Sequence, residues 1–87
     1  MDNLFSIEEW LAYISKIEQL QLIAHARYIG SMKFHNERTE EGYTSDEIYA
    51  VHEALVKRFL ETETRVPAMM DGGVIDYQEL ADSLDDE

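Results

Sequence analysis

The chain has 87 residues, 45% of them apolar, and its 19 Asp and Glu against 7 Lys and Arg give a formal charge of −12 at pH 7. That length supplies one modest core and no second domain, while the apolar share is too high for a wholly disordered acidic chain. The shortage of Lys and Arg excludes free nucleic acid as a ligand, and the absence of Cys excludes a disulfide framework and a thiolate zinc site.

The first residues, Met1-Asp2-Asn3-Leu4-Phe5-Ser6, lack the basic and apolar regions of a signal peptide. No stretch approaches the roughly 20 apolar residues of a membrane span. The expectation is a soluble, cytoplasmic protein.

The first helix start is a capping box. Ser6 caps the backbone, Glu9 reaches back to it, and Phe5 and Trp10 flank the pair as a hydrophobic staple. Ile7, Trp10, Leu11, Ile14 and Ile17 then follow the spacing of one apolar helical stripe. Leu20, Leu22 and Ile23 leave that stripe, and Ile29 and Met32 return to it. Ser15 and Glu18 suit a restart, so the pattern predicts helices over 7–15 and 18–34. Gly30 falls inside the second, at a cost of about 1 kcal/mol, and marks close packing against a neighbour.

The box recurs at Thr44 and Glu47, with Tyr43 and Ile48 as staple. Ile48, Val51, Leu55 and Phe59, widened by Val56 and Leu60, define the buried face of a helix over 45–62. Glu53 with Lys57, and Glu61 with Arg65, are ordered as i, i+4 ion pairs. Pro67 closes the segment. A loop follows, in which Met69-Met70 reads as core gap-filling or as an adaptable contact surface. Asp76 and Glu79 repeat the box before a last helix over 77–84, where Tyr77, Leu80 and Leu84 face the core. The predicted fold is all-α: one domain, 1–87, a small bundle of three or four helices with an acidic C-terminal helix and a tail at 85–87.

Chemistry-bearing motifs are thin. His52-Glu53 begins like a helical zinc-protease motif, but Val56 stands where the second His belongs, and a histidine at the rim of the core is the simpler reading. The spacings of His25, His35 and His52 match no standard metal site. Gly73 to Leu80 resembles the second half of an EF-hand loop. Ala68, Met70 and Gly72 replace its oxygen ligands, however, so a turn into a capped helix is favoured over calcium. No phosphate-cradling loop, Cys nucleophile or paired acid and base stands out. The expectation is a non-enzymatic protein with no catalytic residue, metal or cofactor.

The charge is uneven. Residues 1–35 carry −1, residues 36–66 carry −4 and residues 67–87 carry −7. Glu37, Glu40, Glu41, Asp46 and Glu47 gather around the central loop, and Asp82, Asp85 and Asp86 lead the terminal group. Such clusters cost stability through self-repulsion and steer basic partners. They point to an inhibitor or adaptor that docks carboxylates on the basic surface of a nuclease or other nucleic-acid-binding protein. Nucleic-acid mimics of phages and plasmids work in this way. The alternative is an assembly protein, in one form a homodimer, using an apolar helix face supplied by Leu20, Leu22, Ile23 and Phe34.

Overall fold

Side-chain caps set where the helices begin. The computed structural model describes residues 6–68 and 73–85, and the chain forms an all-α bundle. Ser6 accepts from the Glu9 amide and Glu9 accepts from the Ser6 amide, opening α1 (Ile7–Ile14). Thr44 and Glu47 exchange the same pair of bonds at the start of α4 (Ser45–Glu61). Asp76 Oδ1 accepts from the amides of Gln78 and Glu79 ahead of α5 (Tyr77–Asp85). Phe5, half of the first expected staple, lies outside the described residues.

The expected helix over 18–34 is not one helix. A 3-10 turn (Gln19–Gln21) leads into α2 (Leu22–Ile29), and after Gly30 and Ser31 a separate α3 runs Met32–Glu40. Ser31 is the cause: its hydroxyl accepts from the Phe34 amide and caps α3. Gly30 therefore sits at the end of α2 and not inside a helix. The break after α1 is present, but Ser15 does not cap a restart. Its hydroxyl donates to the Ala12 carbonyl, and Glu18 makes no side-chain cap bond.

Packing follows from α4, which touches each of the other four α-helices. Ile48, Val51, His52, Leu55, Val56 and Phe59 are all buried, a stripe wide enough to meet neighbours on several sides. Leu60, read as widening that face, is instead 45% exposed. Arg58 donates to the Ile17 carbonyl (2.9 Å) and Gln19 to the Thr62 carbonyl (3.0 Å), tying the turn after α1 to the end of α4.

Helices α3 and α4 end alike. After α3, Tyr43 and Gly42 donate to the carbonyls of Arg38 and Thr39; after α4, Thr64 and Glu63 donate to those of Phe59 and Leu60. This paired closure needs a left-handed residue at its centre. Gly42 has φ +99° and Glu63 has φ +56°. Because α4 stops at Glu61, the expected Glu61–Arg65 pair does not form, and Glu61 meets Arg58 at 3.4 Å.

The chain returns to α2 through residues 73–76. Gly73 bridges antiparallel to Ser31, and the Val74 amide donates to the Gly30 carbonyl (2.8 Å). Tyr77 then inserts into the core with 1% exposure, beside Leu80 and Ala81.

Candidate partner-binding surfaces

The carboxylates expected to meet a partner divide into two groups. Glu37, Glu41 and Glu47 have internal work. Arg38, only 7% exposed, lies over the rings of Trp10 (5.4 Å) and Phe34 (4.8 Å), which themselves meet edge to face. It donates to both oxygens of Glu41, at 3.0 and 2.7 Å. Glu37 lies 3.6 Å from the same guanidinium and accepts from the Tyr28 hydroxyl. Burial opposes the Arg38 charge, but the Glu41 bonds and the Tyr28 hydroxyl outweigh it and raise the arginine's pKa. Burial and the bond to Glu37 push the Tyr28 phenol up. Glu47 is occupied as the reciprocal half of its capping box.

Glu40, Asp46 and Asp82 are exposed, the last accepting from the Gln78 amide group at 3.3 Å. Asp85 closes α5, and Asp86 lies outside the described residues. The Met69-Met70 loop and the Met70 and Gly72 positions of the calcium-loop resemblance also lie outside them. Of the matching positions within them, the Asp76 carboxylate caps α5 and Glu79 supplies only its amide, so the expected third box is half formed.

A groove of about 460 Å3 runs between α4 and α5, walled by Tyr49, Ile75, Asp76, Glu79, Leu80 and Ser83. No Lys or Arg is among its described lining residues. Tyr49 is 48% exposed and shares the groove's wall with two carboxylates, Asp76 and Glu79. A ring face flanked by carboxylates suits a guanidinium or ammonium group, which gains from both.

The histidines serve separate ends. His25 Nδ1 donates to the Gln21 carbonyl (2.9 Å), which leaves Nε2 to accept from the Tyr13 hydroxyl (2.6 Å). His52 lies deeper than a rim position, 4% exposed between the rings of Phe34 and Tyr77, and its Nδ1 has no hydrogen-bond partner among the described residues. Burial, with a smaller push from His35, lowers its pKa to about 4. Among the described residues no group of three His, Asp or Glu is placed to hold a metal ion.

The apolar face proposed as the alternative is narrower than its sequence suggests. Leu22 and Phe34 are fully buried, whereas Leu20 is 95% and Ile23 39% exposed. Arg27, which no pattern in the sequence singles out, and Arg65, expected to pair with Glu61, are both exposed. Comparison with protein-family models, with curated proteins and with solved structures returns no match, so the surfaces are read from their own chemistry.

Proposed function

We propose that the protein is a non-enzymatic inhibitor or adaptor that docks its acidic side on a basic, nucleic-acid-binding protein surface. The observation that supports this most is the α4–α5 groove, where Tyr49 stands beside Asp76 and Glu79 with no described base lining the site. Glu40, Asp46 and Asp82 add exposed charge along the neighbouring helices. Together they would steer an Arg- or Lys-rich surface and receive one of its side chains. This reading fits an inhibitor of the nucleic-acid-mimic type carried by a phage or mobile element and acting in the cytoplasm. Among the described residues no helix is long and apolar enough to cross a membrane.

Titration with an Arg-Gly repeat peptide tests the reading, with amide shifts and affinity followed at several salt concentrations. Shifts should centre on Tyr49, Glu79 and Ser83. Glu79→Lys with Asp82→Lys, and separately Glu40→Lys with Asp46→Lys, should weaken binding and flatten its salt dependence. Unchanged affinity in both variants rejects the proposal. The alternative, assembly through an apolar face, now rests on Leu20 and Ile23. A dimer in sedimentation that is insensitive to salt would favour it.

A further inference from the structure

A second groove has the opposite charge. α4 ends in the left-handed turn at Glu63, and the chain then passes α2 with Val66 buried and Pro67 half-buried. Between them lies an apolar groove of about 590 Å3 lined by Ile23, Val66, Pro67 and Ala68, with Arg65 and Gln78 at its polar margin. Arg27 stands one helical turn beyond Ile23 on the same face of α2, outside the groove's own lining. Leu20, one turn before Ile23, extends the apolar stripe.

The chain holds 19 carboxylates and 7 Lys and Arg. Arg38 and Arg58 are spent on Glu41 and Glu61. Arg27 and Arg65 are exposed and make no ion pair or hydrogen bond among the described residues. Two unpaired guanidiniums beside an apolar groove complement a segment that carries a bulky apolar side chain flanked by carboxylates. We propose that the Ile23–Val66 groove, with Arg27 and Arg65, docks an acidic amphipathic segment of a partner protein. A second copy of this chain fits less well, since a two-fold contact sets these arginines against themselves.

The probe is a ten-residue peptide with Leu and Phe set among Glu residues, compared with a version in which Lys replaces every Glu. Each is titrated into the isotope-labelled full chain. The acidic peptide should shift the amides of Ile23, Thr64, Val66 and Gln78. Its affinity should fall at least about tenfold in Arg27→Glu and in Arg65→Glu, the weight of one charge-assisted contact. Both side chains are exposed, so both variants should keep the wild-type circular dichroism; Ile23→Ala, which removes the apolar anchor and no charge, should weaken binding as well. The proposal is overturned if the acidic peptide leaves these amides unmoved, or if its affinity is the same in all three variants. It is equally overturned if the Lys peptide competes for the same site, or if phosphatidylserine vesicles or self-association shift these amides instead.

Discussion

The hydroxyl of Tyr77 lies 2.8 Å from where a β-carbon on Gly30 would stand. Tyr77 cannot easily yield, because it is buried and its hydroxyl donates to the Ala26 carbonyl at 3.2 Å. Gly30 has an ordinary φ of −88°, so its lack of a side chain serves this approach and not backbone freedom. Gly30→Ala should therefore destabilise the protein by about 1–3 kcal/mol, the usual range for overpacking. Tyr77→Phe removes the nearest atom, and the same alanine should cost less in that background. Equal cost in both backgrounds, read by chemical denaturation, would show that the hydroxyl is not the obstacle.

The two left-handed helix ends make opposite predictions. Gly42 has nothing within 4 Å of its missing β-carbon, so Gly42→Ala pays for backbone conformation alone, about 1 kcal/mol. Glu63 already carries that strain at φ +56°. Glu63→Gly should gain about 0.5 kcal/mol, the relief exceeding the added entropy of the unfolded chain. Thermal midpoints of the two variants should move in opposite directions.

His52 gives the fold an acid sensitivity. Its folded pKa of about 4 lies below the ordinary value of 6.5, so the unfolded chain binds the proton first as pH falls. Its contribution is complete above pH 6.5 and is lost progressively toward pH 4, about 3 kcal/mol in all. His35, Phe34 and Tyr77 surround the ring, and none offers it a carboxylate. His52→Leu removes both the titration and the unpartnered nitrogen. It should match or exceed wild-type stability at pH 7 and lose less between pH 7 and 4.5. Parallel pH profiles for the two proteins would contradict this.

Arg38 should resist replacement even by lysine. A lysine cannot present a fork to both Glu41 oxygens while its charge stays over the rings of Trp10 and Phe34. Arg38→Lys should cost about 1–3 kcal/mol in urea unfolding. The same geometry bears on charge reversal: Glu37, Glu41 and Glu47 variants would confound binding with stability, as would Asp46 in the first turn of α4, whereas exposed Glu40 and Asp82 would do so least.

Much of this fold is written in local pattern. The Ser6–Glu9 and Thr44–Glu47 boxes form as their spacing requires, and Val51, Leu55 and Phe59 share the buried face that their period implies. The break at Gly30 and Ser31 was hidden because residue 34 is Phe, so no Glu completes a box. Contacts between distant residues were also out of reach. The stacking of Arg38 on Trp10 joins residues on α3 and α1, and no periodicity within one helix reports it. For the same reason Glu37 and Glu41 read as free surface charge when one buried cation holds both. The idle state of Arg65 was concealed by an apparent i, i+4 partner, and only the position of the α4 terminus releases it.

The single backbone bridge from Ser31 to Gly73, with the Val74 amide on the Gly30 carbonyl, has a thermodynamic corollary. Glu79 and Leu80 help to form the acidic groove and Gln78 closes one side of the other, so both are complete only while α5 is docked. Undocking is one local opening event, and the Val74 proton should exchange with solvent through it. A ligand in either groove would slow that exchange. Two ligands, one basic and one acidic, would then bind with positive cooperativity although their sites share no residue, because each has already met the cost of holding α5 in place.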